Sequence, residues 1–132
     1  MIALDTSVLA RLILRDNAAE LQAAADFIAG RACSVSWSVL VELSWVLERS
    51  ARLPREEVAA ALAMIGAVDQ ITVPDDEALA WAVERYAQGA DFADMIHLVS
   101  AIPGSAAFAS FDRKLDRQAG SDKPLPVTTL HA

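Results

Sequence analysis

The chain has 132 residues, of which 55% are hydrophobic, and its formal net charge is −7. This length predicts a single domain over residues 1–132 with a buried core, and the hydrophobic fraction excludes a disordered chain. The acidic balance argues against a generic basic surface for nucleic acids. No segment approaches the roughly 20 apolar residues of a membrane span, no basic leader precedes Asp5, and the single cysteine, Cys33, suits a reducing compartment. We therefore expect a cytoplasmic protein with no membrane span.

The first part of the chain alternates short apolar runs with amphipathic stretches. Strands are predicted at Met1–Leu4, as a buried central strand, at Cys33–Ser36 and at Ile71–Val73. The first helix is predicted from Thr6 or Ser7, either of which can cap it, to Asp16. Further helices are predicted at Ala18–Ala29, at Trp37–Ser50 and from Pro54 to about Gly66. A fifth runs from Asp75 or Asp76 to near Gly89. The helix at Trp37–Ser50 is apolar on two sides, which is typical of a helix that is buried or meets a partner.

The second part continues the alternation. A helix is predicted from Phe92 with Asp91 as its N-cap, followed by a strand at Ala106–Phe111, a short helical turn at Arg113–Gln118 and an edge strand at Val127–Thr129. Because strands alternate with helices, we predict an α/β fold with a mostly parallel central sheet and helices on both faces, a three-layer α/β/α sandwich.

Four acidic residues stand in unusual places. Asp5 follows the first strand and Asp112 follows the fourth, whereas Glu42 is the only charge in the apolar run of the third helix. Asp94 lies in the first turn of its helix, close to core positions, where an unpaired charge is expensive. Taken singly, each acid could be a cap or a surface residue, and Asp94 could complete a capping box with Asp91. Ligands bind at the carboxyl ends of strands in open parallel sheets, so we expect the four acids to meet at that edge.

Carboxylates gathered in one pocket repel each other unless a cation joins them. Oxygen ligands select hard ions such as Mg²⁺ or Mn²⁺, and no Cys/His pair has the spacing of a zinc site. Such an ion can activate a water and stabilise the charge on a phosphate, so that no covalent nucleophile is needed. The four acids therefore predict a divalent-metal hydrolase of phosphate esters, with Asp5, Glu42, Asp94 and Asp112 as metal ligands and catalytic groups.

At this point the chain resembles a PIN domain, and specifically a VapC-type toxin ribonuclease. The resemblance covers nearly the whole sequence and rests on four motifs in order: L-D-T-S-V-L at Leu4–Leu9, V-E-L-S-W-V-L at Val41–Leu47, D-F-A-D-M-I-H-L at Asp91–Leu98 and S-F-D-R-K-L at Ser110–Leu115. Each motif alone is weak, but their order and spacing together are fairly specific.

The resemblance implies an α/β/α sandwich and Mg²⁺- or Mn²⁺-dependent cleavage of single-stranded RNA. It implies that the acidic quartet Asp5, Glu42, Asp94 and Asp112 is the metal site. The Thr6 and Ser110 hydroxyls match positions that support the metal or the substrate, and Asp91 and Asp116 are further acids that the pocket could include. The resemblance also implies a homodimer that is silenced by a cognate antitoxin protein.

Three other functions can be compared with the sequence. A haloacid-dehalogenase-type phosphatase needs a second Asp at the position that Ser7 occupies. A receiver domain needs a late Lys, for which Lys114 and Lys123 are candidates, but its phospho-acceptor strand is missing. A catalytically inactive PIN-like module that binds RNA or protein is the alternative from another class.

Overall fold

The computed structural model describes all residues, 1–132, and contains seven α-helices and five short strands. The chain forms two compact units, Met1–Asp76 and Glu77–Ala132. None of the helices has the length and apolarity that a membrane crossing requires.

The first unit contains three strands and four helices. In chain order these are β1 (Ile2–Ala3), α1 (Thr6–Leu14), α2 (Ala18–Ile28), β2 (Cys33–Ser34), α3 (Trp37–Trp45), α4 (Arg55–Ala67) and β3 (Ile71–Thr72). The helix predicted over Trp37–Ser50 is present, but its last part, Val46–Ser50, is a π-helical turn that continues α3.

The second unit holds the remaining helices and strands. They are α5 (Asp76–Ala87), which starts at the boundary, α6 (Phe92–Ser100), β4 (Phe108–Ser110), α7 (Leu115–Ala119) and β5 (Val127–Thr129). Its core includes the rings of Tyr86 and Phe92, which meet edge to face with centroids 5.8 Å apart. Met95 and Leu98 of α6 are also fully buried, so α6 is held firmly by its apolar side.

All hydrogen-bonded strand pairs are parallel, which confirms that prediction. In the first unit the order is β1–β2–β3, with Cys33 opposite both Ile2 and Ile71. In the second unit β4 pairs with β5, with Phe108 opposite Val127. Parallel pairing follows from the helical crossovers between successive strands.

One strand differs from its prediction. The run Met1–Leu4 was expected to form a buried central strand, but within its sheet β1 is an edge strand and β2 is central. Ile2 is 40% exposed and only Leu4 of the run is buried. Only Leu4 of this apolar run is buried, so the hydrophobic pattern of the sequence overestimated the burial of the strand.

An arginine joins two helices of the second unit. Arg85 of α5 donates from Nε to the backbone oxygen of Gln118 in α7, at 2.8 Å, and from NH1 to Oε1 of Gln88, at 2.9 Å. Gly120 follows α7 with φ of 83°, and a Cβ built there would lie 3.0 Å from the Arg85 guanidinium carbon. The positive φ favours glycine at this position, and any larger residue would also have to displace the Arg85 guanidinium.

We expect Gly120→Ala to destabilise the protein more than Gly104→Ala does. Both glycines have φ of 83°, but nothing lies within 4 Å of a Cβ built at Gly104. Gly104→Ala should therefore show only the left-handed backbone strain of about 1–2 kcal/mol. Gly120→Ala should add the displacement of an Arg85 held by two hydrogen bonds. Urea unfolding of both variants measures the difference, and equal losses of stability would contradict this role of Arg85.

Candidate metal centre

The structure places the four predicted acids in both compact units. Asp5 and Glu42 belong to the first unit, whereas Asp94 and Asp112 belong to the second. Asp5 follows β1 and Asp112 follows β4, so both lie at the carboxyl end of a parallel strand, as predicted. Asp94 lies in the first turn of α6.

The Asp94 carboxylate is partly buried and has no hydrogen-bond partner. Its pKa is raised above the ordinary value of 3.8, first by desolvation and then by the neighbouring carboxylates of Asp91 and Asp112. His97 opposes the shift weakly. The structure thus brings Asp91, Asp94 and Asp112 within electrostatic range, and Asp94 is the acid that experiences the crowding.

The N-terminus of α6 explains why Asp94 is left without a donor. Oδ2 of Asp91 accepts a hydrogen bond from the backbone N–H of Asp94 at 2.9 Å, which confirms Asp91 as the N-cap. The reciprocal bond of a capping box, from the Asp94 side chain to the backbone of Asp91, is not formed. Asp94 is therefore not needed to cap the helix.

Asp112 is exposed and held by its neighbours in the turn after β4. Its backbone N–H donates to Oγ of Ser110 at 3.0 Å, and its Oδ1 accepts from the backbone N–H of Lys114 at 2.9 Å. The second carboxylate oxygen, Oδ2, has no partner in the chain. The Ser110 hydroxyl, which the sequence associated with the site, thus positions the backbone of Asp112.

Asp5 is the N-cap of α1, a role that the sequence assigned to Thr6 or Ser7. Its Oδ2 accepts from the Ser7 hydroxyl at 2.8 Å and from the Ser7 backbone N–H at 3.4 Å. These hydrogen bonds lower the pKa of Asp5, and the bond from the Ser7 hydroxyl has the largest effect. The sequence analysis did not identify Ser7 as the hydrogen-bond donor to Asp5. An Asp two residues before a Ser at a helix start is nevertheless a recognisable turn pattern.

Thr6 is the first residue of α1 and is only 4% exposed. Its Oγ1 is buried and has no hydrogen-bond partner in the chain. Because a buried hydroxyl without a partner is unfavourable, this atom has capacity to bind a further group.

The prediction that the Glu42 carboxylate lies in an apolar environment is wrong. It is exposed on α3, because the buried side of that helix consists of Leu40, Leu43, Ser44 and Leu47. At 100° per residue, Glu42 lies on the opposite side of the helix from these residues. The apolar residues around Glu42 in the sequence therefore do not surround it in space.

Asp116 has a structural partner of its own. Its Oδ1 forms an ion pair with Nζ of Lys123 at 3.0 Å, which ties α7 to the following loop. His97 remains exposed on α6.

The carboxylate oxygens of Asp94 and Asp112 are the type of ligand that hard divalent cations prefer. No group of three or more His, Cys, Asp or Glu side chains has the arrangement of a metal site. Mg²⁺, however, is commonly bound by one or two carboxylates, with waters and substrate phosphates completing its shell. Asp94, with an unpartnered carboxylate, and Asp112, with a free Oδ2, supply that minimum. A cation there would also offset the desolvation and the repulsion that together raise the pKa of Asp94.

Comparison with known proteins identifies the kind of domain. The family model of the PIN domain matches residues 2–121 of the chain. The seven helices and parallel strands are consistent with the α/β/α sandwich of such domains. PIN domains are generally nucleases that bind RNA and use divalent metals. No curated protein and no solved structure matches the chain.

We expect Asp94→Asn to stabilise the metal-free protein at neutral pH, because it removes a desolvated charge repelled by Asp91 and Asp112. A raised folded-state pKa means that the folded protein binds this proton more tightly than the unfolded chain. Wild-type stability therefore falls as pH rises from 3.8 through the raised pKa. The advantage of the variant should be full above that window and vanish below it. Urea unfolding in EDTA across the acid range measures this.

Asp116→Asn is the matched control, since it makes the same chemical change at an exposed Asp that is paired with Lys123. It should give no stabilisation at neutral pH. If Asp94→Asn were instead destabilising by the amount typical of a lost cap, about 0.5–2 kcal/mol, Asp94 would be a capping residue and not a strained acid.

Proposed function

Because the chain belongs to the PIN-domain family, we propose that it is a divalent-metal-dependent endoribonuclease and the VapC-type toxin of a toxin–antitoxin pair. The observation that carries this proposal is the partly buried Asp94 carboxylate, which has no donor and is crowded by Asp91 and Asp112. Such a group is unfavourable for stability and becomes favourable once a cation binds. We also propose that residues 1–132 form one PIN-like domain, since the matched range spans both compact units.

The proposed metal ligands are Asp5, Glu42, Asp94 and Asp112, with Mg²⁺ or Mn²⁺ as the ion. When bound, the ion supplies an activated water and stabilises the charge on the scissile phosphate. Hydrogen bonds within the chain orient two of these carboxylates. The Ser7 hydroxyl orients Asp5, and the Lys114 backbone N–H fixes Asp112 so that its Oδ2 remains free. Exposure of Glu42 leaves its carboxylate free to turn toward a ligand.

Two surfaces of the first unit support the proposal of protein partners. A cavity of about 270 Å³ between α1, α2 and α4 is lined by apolar side chains such as Leu12, Ile13 and Met64. Met64 is exposed, so this surface can accept the apolar side of a small antitoxin. On α3, Trp45 is also exposed and provides apolar area for a homodimer contact.

We expect the purified protein to cleave single-stranded RNA with Mg²⁺ or Mn²⁺ and to lose cleavage in EDTA. Asp94→Asn and Asp5→Asn should each lower the cleavage rate by orders of magnitude while the fold is kept, and Asp116→Asn should leave it near that of the wild type. The ion should also raise the melting temperature of the wild type, since it binds the folded state preferentially, and raise that of Asp94→Asn much less. Full activity in EDTA would falsify the metal-dependent proposal.

The alternative, an inactive PIN-like binding module, predicts a different result. It would bind RNA or protein but produce no fragments with either metal, and Asp94→Asn would not change its behaviour.

We expect expression of the wild-type protein alone to arrest growth, and expression of Asp94→Asn to be harmless. Co-expression of the neighbouring reading frame should relieve the arrest, because an antitoxin that covers the acids can pair a basic side chain with them. Growth curves and copurification of the two proteins test this. A wild-type protein that is an active ribonuclease yet harmless when expressed alone would remove the toxin role and leave the enzyme.

A further inference from the structure

Three aromatic side chains are exposed, and one of them differs from the others. Phe27 and Trp45 are each 42% exposed, and each ring carries an Arg guanidinium, Arg31 at 4.5 Å and Arg49 at 5.6 Å from the centroid. Phe111 is 66% exposed and has neither a cation over its ring nor another ring beside it. Two-thirds of this side chain is therefore exposed, and no cation or aromatic ring packs on it.

The backbone on both sides of Phe111 is held in place. The carbonyl oxygen of Ser110 accepts from the N–H of Leu130 at 2.8 Å, which extends the pairing of β4 with β5. The Ser110 hydroxyl accepts from the N–H of Asp112, and Oδ1 of Asp112 accepts from the N–H of Lys114. A ring on a fixed backbone with two rotatable side-chain bonds loses little entropy when it binds a ligand.

The residues that follow Phe111 combine the candidate metal acid with positive charge. Asp112 comes next and is coupled electrostatically to Asp94. Arg113 and Lys114 follow and are both exposed. The nearby acid Asp116 forms its ion pair with Lys123 rather than with either of these cations. In a chain of net charge −7, two consecutive exposed cationic residues thus follow the exposed Phe111 closely in sequence.

We propose that Phe111 is a nucleobase-binding residue: an unpaired base of the RNA substrate stacks on its ring, and Arg113 and Lys114 contact the adjoining phosphates. The proposal rests on the ribonuclease function given above and names the residue that positions the substrate. Aromatic rings bind unstacked bases irrespective of sequence, and Arg and Lys bind the backbone that joins them. The base would be held at the residue that precedes Asp112, one of the candidate metal acids.

The surroundings favour a nucleotide over a protein as the occupant. Asp and Lys are depleted in protein interfaces, whereas Asp112 and Lys114 both follow Phe111 closely in the chain. A lone ring next to cations suits a ligand that carries an aromatic plane and an anion together. A second copy of the chain covering Phe111 is the competing occupant, and its signature is a change in oligomeric state.

The test measures RNA binding without cleavage. In an Asp94→Asn background with Mg²⁺, a fluorescein-labelled, unstructured RNA oligonucleotide is titrated with each protein, and the fluorescence anisotropy is recorded. Phe111→Ala should weaken binding roughly tenfold. Phe111→Leu keeps apolar volume without the aromatic face and should be nearly as weak, whereas Phe111→Trp should retain the affinity. Phe27→Ala is the matched control and should bind as its parent does, because an Arg covers that ring.

Kinetics of the otherwise wild-type protein give a second readout. Phe111→Ala should raise KM with little change in kcat, as expected when a contact made equally in ground and transition states is removed. Unchanged affinity and KM in Phe111→Ala would overturn the proposal, as would full rescue by Leu or a shift of oligomeric state in size-exclusion chromatography with binding intact.

The outcomes also separate this proposal from the function on which it rests. If the wild type cleaves RNA and Phe111→Ala is indistinguishable from it, the stacking role is wrong and the nuclease stands. If the wild type never cleaves but the Phe111 series weakens binding as described, the base-binding site stands on an inactive module. If the wild type neither binds nor cleaves RNA, both proposals are wrong.

Discussion

The proposed function depends on one carboxylate, that of Asp94, whose ionised form the fold disfavours. It is partly removed from water, accepts no hydrogen bond and stands near two other carboxylates. The helix that carries it is held by the burial of Phe92, Met95 and Ile96, so Asp94 cannot move far from that environment. Core packing of α6 therefore keeps this carboxylate in an unfavourable environment, and carboxylates with perturbed pKa values cluster at functional sites.

Asp5 and Asp94 show how the same residue type acquires opposite properties at two helix starts. The Ser7 hydroxyl and backbone donate to Asp5, so its ionised form is stabilised and its pKa is lowered. At α6 the capping bond goes to Asp91, which leaves Asp94 with desolvation and repulsion, so its pKa is raised. The fold thus favours the ionised form of Asp5 and disfavours that of Asp94.

Much of the fold could be predicted from the sequence, because hydrophobic period, caps and breakers act locally. Parallel strands, the N-cap Asp91 and the strand-end positions of Asp5 and Asp112 follow from such signals. Burial could not be predicted as well, since it depends on which side of an element meets the rest of the chain. Glu42 lies among apolar neighbours in sequence yet on the exposed side of α3, and Ile2 begins an apolar run yet lies on an edge strand.

Phe111 is the clearest case of a residue whose burial could not be predicted from the sequence. Its exposure also matters for how an acidic chain could act on RNA. In the sequence it ends an apolar run and resembles a core residue, whereas in the structure its ring is open to solvent. Charges are screened over about 8 Å at physiological ionic strength, so a phosphate near Arg113 and Lys114 responds to these cations more than to acids farther away. Net charge therefore does not decide whether such a protein binds a polyanion. In the stacking proposal, the local order of an aromatic ring and two cations decides it, because the ring would meet a base and the cations would meet the phosphates.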